Sequence, residues 1–349
     1  MLEYKPIKLP EDELPHQNII EWWYFNGDLT DEKGNHYNFM DCLFKADPKR
    51  AKIPFLPKMP FKNVYFSHIL LSDIAANKLF REINPLVFIS KDSFTKDLFF
   101  ANYTLPSLKG YFNYEMEKID RDNWHLKTPY FDLVLKSKKP PLLVGGIGFL
   151  SLGASSTYYY SLTDLETSGE ITINGRRLKV RGKSWLDHQW ADAAYSSFKW
   201  TWFSLQLQNN TEIVCFRFEK DKQSFNFASL IDSNGNQKNY QDAEFIDLND
   251  HWQSHDTGTI YPLSWQIKIP QAEISLQVKP LIREQEMIFG LINYWEGGLT
   301  ISGECEGKIV EGRGFMELVG YPSKKGKLNY YQKMLIRKIK SDLKKVISK

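Results

Sequence analysis

Cysteine is scarce in this 349-residue chain: Cys42, Cys215 and Cys305 lie far apart and form no short-spaced pair. That excludes a disulfide framework and a thiolate zinc site, and predicts three buried thiols. No run approaches the roughly 20 apolar residues that span a bilayer as a helix. The opening MLEYKPIKLPEDELPHQ lacks the apolar centre of a signal peptide, so the expected compartment is the cytoplasm. An HExxH pair, a glycine-rich phosphate loop and a GxSxG elbow are all missing. No metal, nucleotide or other cofactor is therefore expected. His251 and His255 stand four apart, but Trp252-Gln253-Ser254 and the turn-prone Asp256-Thr257-Gly258 do not read as a helix that would present them together.

Basic charge is also thin over most of the chain. The net charge is +3, yet ten basic residues and only Asp342 as an acid follow Pro322, which makes the tail +9 and leaves −6 (3 minus 9) on the rest. A mildly acidic body argues against nucleic acid as a partner, because phosphate binding needs a basic surface. In the tail, Tyr331, Leu335, Ile339, Leu343 and Val346 or Ile347 recur at helical spacing with lysines opposite. This amphipathic helix either docks on a sheet with its basic face solvated or gives peripheral contact with anionic membranes.

What the chain has in abundance is aromatic side chains, 15% of residues, including ten tryptophans. These suit pleated surfaces and apolar ligand pockets. Segments such as HYNFMDCLF, VYFSHILLSD, FDLVLKS, WTWFSLQL and EIVCFRF read as strands. Asp31 to Gly34, Asn174-Gly175, Asn209-Asn210 and Asn234-Gly235 have the chemistry of hairpin turns. The expected fold is all-β: two consecutive antiparallel barrels or sandwiches, over residues 1–192 and 193–322, followed by the helical tail 323–349. Pro54, Pro57 and Pro60 mark an excursion near residues 48–62, and the Pro- and Gly-rich stretch 138–153 is expected to cross over the surface. A chain with two domains needs no second copy to bury its core, so a monomer is expected.

Four constellations carry polar groups inside apolar strands. In EWWY, a period of two puts Glu21 and Trp23 on one face and Trp22 and Tyr24 on the other. In SWLDHQW, Trp185, Asp187 and Gln189 share one face, and Leu186, His188 and Trp190 the other. A carboxyl beside an indole is either paired or held protonated. Asp187 is thus a candidate general acid, delivering a proton to carbon while an indole face stabilises the cation. Alternatively, Asp187 and His188, like Glu21, pin strands by hydrogen bonds. His68, with Asp73 five residues on, is either a satisfied core histidine or a ligand or base at a site. Tyr294-Trp295-Glu296-Gly297 and Glu317 place two more carboxyls in apolar strands.

Taken in order, EWWYFNGDL, the His68 strand, YYYS (Tyr158 to Ser161), SWLDHQW, GTIYPLSWQIKIP, YWEGGLTISG and GFMELVGY resemble the AttH/carotenoid 1,2-hydratase-like family of double lipocalin-like, calycin-type proteins. The resemblance covers roughly residues 16 to 322. It implies two lipocalin-like domains and a hydrophobic small molecule (polyene, isoprenoid or polyketide-like) that undergoes acid-assisted hydration, cyclisation or isomerisation. The alternative is a non-catalytic lipocalin-like carrier of an apolar ligand. On the enzymatic reading Asp187 is the acid and Glu21 or His188 its orienter. Trp22, Trp23, Trp185, His68, Tyr160, Trp295 and Glu296 would contact substrate. The chain departs from the family pattern in having Gln189 where a glutamate is common, which weakens a mechanism built on a carboxylate pair at that position.

Overall fold

The computed structural model describes residues 4–51, 62–104, 113–152, 155–192, 199–220, 223–289 and 292–322. The terminal helix and most of the proline-rich excursion lie outside the described residues. Strands β1 (Ile20–Asp31), β2 (His36–Ala46), β3 (Val64–Asp73), β4 (Lys78–Ile89), β5 (Phe100–Thr104), β6 (Asn113–Lys118), β7 (Asn123–Lys127) and β8 (Phe131–Ser137) form an antiparallel meander. The short β9 (Leu142–Leu143) and β10 (Phe149–Leu152) precede the long hairpin β11 (Ser155–Ile173) and β12 (Arg176–Ala191). β12 pairs with β1 and β11 pairs with β8, so the strands close into a ten-stranded barrel.

A second sheet begins at β13 (Lys199–Leu207) and continues through β14 (Glu212–Lys220), β15 (Gln223–Ile231), β16 (Gln237–Tyr240) and β17 (Glu244–Asp247). A two-stranded ribbon of β18 (His251–Gln253) and β19 (Ile260–Pro262) leads to β20 (Trp265–Ile269), β21 (Ile274–Pro280), β22 (Glu286–Phe289), β23 (Ile292–Cys305) and β24 (Lys308–Val319). Its order is β16-β15-β14-β13-β24-β23-β21-β20-β17, and its end strands do not pair with each other among the described residues. It is a curled half-barrel.

The four predicted turns all join antiparallel strands. Asn174 and Gly175 both take positive φ between β11 and β12, the conformation that Asn-Gly supplies most cheaply. Asn210 and Gly235 take the same handed turn in the second sheet, and Gly34 in the first.

The stretch 138–152 meets expectation only in part. Lys138, Pro140, Gly146, Ile147 and Ser151 are exposed, but Leu142 and Val144 are fully buried, β9 and β10 pair with β11, and Gln237 bonds to Leu143 N and Pro141 O. Leu142 and Val144 find cover between the sheets and Leu143 packs against the barrel core, where leaving such side chains wet would cost about 1.5–3 kcal/mol each.

Strand alternation divides the buried residues into three large cores beside a small cluster of Ala46, Val64 and Phe66. Trp23, Phe25, Phe39, Leu43 and Trp124 fill the barrel. Phe203, Trp265, Trp295 and Leu318 lie inside the curled sheet. Tyr24, Met40, Cys42, Trp185, Trp202 and Phe315 fill the seam where the outer face of β1, β2, β3 and β12 meets the curled sheet. All three cysteines are buried free thiols.

Gly182 of β12 shows how tightly the barrel wall is drawn. A β-carbon there would run into the carbonyl oxygen of Asp28 on β1. Gly182→Ala is expected to destabilise the fold by about 1–3 kcal/mol, the usual range for overpacking. Urea denaturation followed by circular dichroism measures it, and an unchanged midpoint would show that β1 and β12 can separate at no cost.

Candidate active site between the two sheets

Cross-strand register assembles a polar rung on each wall of the seam. On the barrel wall, Ser161, Asp187, Tyr24, Cys42 and His68 are successive neighbours across β11, β12, β1, β2 and β3. On the curled sheet, Phe216, Trp202, Glu317 and Glu296 line up across β14, β13, β24 and β23. One residue pair deeper, Trp185, Asn26, Met40 and Leu70 meet Ser204 and Phe315 in a buried floor. One pair outward, the rungs turn aromatic: Tyr159, Gln189, Trp22, Phe44 and Phe66 on one wall, Phe218, Trp200, Val319 and Tyr294 on the other. Trp22, Phe44, Gln189 and Trp200 are only half-buried, so solvent reaches this outer layer.

Hydrogen bonds stitch the polar rungs together. Tyr159 and Ser161 donate to the two oxygens of Asp187 at 2.5 Å each, and Trp185 Nε1 donates at 2.6 Å. Trp202 Nε1 reaches across the seam to Tyr159 Oη at 2.9 Å. The hydroxyl of Tyr24 donates to Glu296 from the opposite wall, and its ring meets Trp202 edge-on at 5.4 Å. His68 Nδ1 bonds to the hydroxyl of Tyr294. Trp200 Nε1 donates to Glu317 Oε2 at 2.8 Å. Glu317 Oε1 has no hydrogen-bond partner among the described residues, and Glu317 is half-buried, whereas Asp187 and Glu296 are buried.

Three carboxyls in one apolar seam cannot all be charged. Burial pushes Asp187 up to about 7 against the pull of its three donors. Glu317 rises to about 7 through burial, with the Asp187 charge adding to the shift. Glu296 is driven well above the carboxylate range by burial and then by Glu317, although Tyr24 opposes this. The trio thus holds acid and carboxylate forms side by side near neutral pH, the pairing that acid–base catalysis needs. Burial lowers His68 to about 3, so it is a neutral hydrogen-bond partner and not a proton donor.

Glu21 and His188 belong to a different site. Both point into the barrel, where Glu21 Oε1 takes His16 Nδ1 at 2.7 Å and His188 Nε2 at 3.0 Å, and Oε2 takes Lys45 at 2.8 Å and the His16 amide at 2.9 Å. Burial alone would raise Glu21, but the bonds from His16 and His188 and the charges around it bring it down to about 2. Burial lowers His188 to about 4, opposed by Glu21. Nδ1 of His16, Oε1 of Glu21 and a ring nitrogen of His188 lie within 4.8 Å of one another, and are the metal-capable set among the described residues.

The structure therefore divides the residues that the sequence grouped. Asp187, Trp22, Trp185, His68 and Glu296 meet in the seam. Glu21, Trp23, His188 and Tyr160 face the barrel interior, on the far side of the same strands. Neither Glu21 nor His188 can orient Asp187, because successive strand residues point to opposite faces. Trp295 lies inside the curled sheet, its Nε1 bonded to Arg283 O. Asp73 ends β3 and accepts the Ala76 amide in a turn. Tyr24, Tyr159, Ser161, Trp200, Trp202 and Tyr294 were given no role at a site by sequence reasoning. Tyr24 stands two residues from Trp22 and Tyr294 two from Glu296, so alternation carried the signal for both.

The AttH-like family model matches residues 1–321. Over 203 residues the chain is 26% identical to the dehydratase asqC of Emericella nidulans, and over 198 residues 25% identical to the kievitone hydratase of Fusarium solani subsp. phaseoli. Each match takes in 54% of this chain and 58% or 56% of the relative, so the chain spans under two thirds of the length of these proteins. Among solved structures, an AttH-type protein from Nitrosomonas europaea superposes with a TM-score of 0.72 at 25% identity, covering 92% of this chain and 98% of that one. Kievitone hydratase from Nectria haematococca superposes with a TM-score of 0.71 at 19% identity, covering 91% and 94%, a likeness of fold.

A carboxyl whose folded pKa lies above its unfolded value binds its proton more tightly in the folded state. Its stabilisation is full below about pH 4 and is lost as pH rises through 7, at about 1.4 kcal/mol per pH unit for each group. Asp187→Asn removes one such group. Relative to the wild type, the variant's stability curve is expected to decline less between pH 4 and 7, as read from urea midpoints at each pH. Parallel curves would place Asp187 in an ordinary, hydrated environment.

Proposed function

We propose that this chain, which belongs to the AttH-like family, is a hydratase or dehydratase that works on a neutral, hydrophobic small molecule held in the seam between its two sheets. The observation that carries this reading is the facing of Asp187 on one wall of an apolar seam with Glu296 and Glu317 on the other, where burial raises all three carboxyls. The names of the two curated relatives point to the same reaction class, addition or loss of water.

In hydration, Asp187 delivers its proton to one carbon of the double bond. Positive charge then develops on the other carbon, beside the indole faces of Trp22, Trp200 and Trp202, whose quadrupoles favour a cation. Water adds to that carbon, and its surplus proton passes to a carboxylate of the trio, with Glu317 the one that solvent reaches. Atoms and charge balance with no external oxidant or reductant, and dehydration runs the same steps backwards. Trp185 and Tyr159 hold the Asp187 carboxyl in place. The half-buried aromatic layer of Trp22, Phe44 and Trp200 would admit a flat or conjugated hydrocarbon framework, such as a polyene, isoprenoid or polyketide-like compound.

Incubation of the protein in ¹⁸O-labelled water with kievitone and a panel of polyene, isoprenoid and polyketide alkenes tests the reading by mass spectrometry. A labelled alcohol is expected from at least one compound. Asp187→Asn, folded by circular dichroism, is expected to cut kcat by about 10²–10⁴-fold, the usual share of a general acid. Full turnover in that variant would overturn the assignment of the acid. A compound bound in the seam and never turned over would make the protein a carrier.

A further inference from the structure

The cluster of His16, Glu21 and His188 takes no part in the seam chemistry, and its hydrogen bonds leave an imbalance. His16 Nδ1 faces Glu21 Oε1 at 2.7 Å, and His16 Nε2 faces Asp12 Oδ1 at 3.2 Å. A neutral imidazole has a single N–H and can donate to only one of two carboxylates. Both contacts are satisfied together only when the ring carries a second positive partner, a proton or a metal cation. A cation at Nδ1 resolves the conflict, because it binds Nδ1 and Glu21 together and leaves Nε2–H to donate to Asp12.

We propose that His16 Nδ1, Glu21 Oε1 and His188 Nε2 form a zinc-class divalent cation site at the mouth of the N-terminal barrel, with Asp12 orienting His16 from behind. Two imidazoles and a carboxylate are a donor set that zinc favours, with a fourth position left for water. In a tetrahedral site with bonds of about 2.0–2.2 Å, ligand atoms stand roughly 3.3 Å apart. The contacts of 2.7 Å and 3.0 Å from Glu21 Oε1 need to open by about 0.3–0.6 Å, and the three ligand atoms already lie within 4.8 Å of one another. The His16 ring is stacked on Trp190 with centroids at 4.0 Å and planes 4° apart, which fixes the direction of its nitrogens. A carboxylate behind a metal-bound histidine sets its tautomer, the role that Asp12 takes here. His16 is 20% exposed, so an ion can enter from solvent, while Glu21 and His188 are fully buried.

Lys45 sets the strength of the site. Its ammonium holds the other oxygen of Glu21, and it repels a dication while keeping the carboxylate in place. The expected affinity is therefore weaker than that of a zinc site which drives folding. The bound ion would tie the N-terminal arm, through His16, to β1 and β12.

The test uses the full chain stripped with chelator and titrated with Zn²⁺ against a chromophoric competitor, and with Co²⁺ followed by visible absorption. One equivalent of Zn²⁺ is expected to bind, and Co²⁺ is expected to show the intense visible bands of a four-coordinate site. His16→Ala should abolish that equivalent, and Asp12→Asn should weaken it by about 10–100-fold. Both residues sit at the surface edge of the cluster, and circular dichroism confirms that each variant folds. His251→Ala, at the histidine paired with Asp247 elsewhere, should change nothing. Absence of one saturable equivalent, or binding unaltered by His16→Ala, would overturn the site and leave a hydrogen-bonded clamp.

Discussion

Two strands, β1 and β12, are walls shared by two interiors, and everything chemical in the molecule depends on that sharing. Their side chains alternate with a period of two, so neither strand has a face to give to water over its central stretch. One face of each strand fills the barrel with Trp23, Phe25 and Leu186. The other meets the curled sheet with Tyr24, Trp185 and Asp187. Neighbours in sequence therefore live in separate environments. Asp187 and His188 are joined by a peptide bond, yet one is a carboxyl with a raised pKa in the seam and the other a neutral imidazole against Glu21.

The same geometry explains why two buried carboxyls behave in opposite ways. Glu21 and Asp187 are both removed from water, and that removal disfavours charge on each. Glu21 is surrounded by two imidazoles, an ammonium and a backbone amide, which together outweigh burial. Among the described residues the donors to Asp187 are neutral hydroxyl and indole groups, and the titratable groups facing it across the seam are carboxyls. Charge-assisted bonds are roughly twice as strong as neutral ones, so the partner type decides the direction of the shift. The seam itself is fastened away from these acids. Lys139 bonds to Glu212, Asn210 O and Asp232 O, Gln206 donates to Thr163 O and Ser184 O, and Ser72 donates to Gln285.

Much of this was legible in the residues. The hairpin turns, the all-β class and the opposed faces of EWWY and SWLDHQW follow from local chemistry and a period of two. Their resemblance to the AttH/carotenoid 1,2-hydratase-like family set out the double-barrel plan. Alternation alone also separates Glu21 from Tyr24 and Asp187 from His188. What it does not reveal is which faces meet. Tyr24 reaches Glu296 across 272 positions of sequence, and Trp200 reaches Glu317 across 117, and no local pattern encodes such pairings. Glu317 stood out only as a carboxyl in an apolar strand; its place beside Asp187 comes from packing two sheets. The stretch 138–153 misled for a related reason. Its prolines and glycines are those of a surface loop, but its Leu142 and Val144 help to fill the seam.

The central claim is that the seam keeps a carboxyl protonated at neutral pH. Infrared difference spectroscopy in ²H₂O, comparing the wild type with Glu296→Gln at pH 7, measures this through the carbonyl stretch of an un-ionised acid. A protonated-carboxyl band present in the wild type and lost in the variant is the predicted result. A difference spectrum showing only the loss of carboxylate bands would mean that Glu296 is ionised, and would contradict the account.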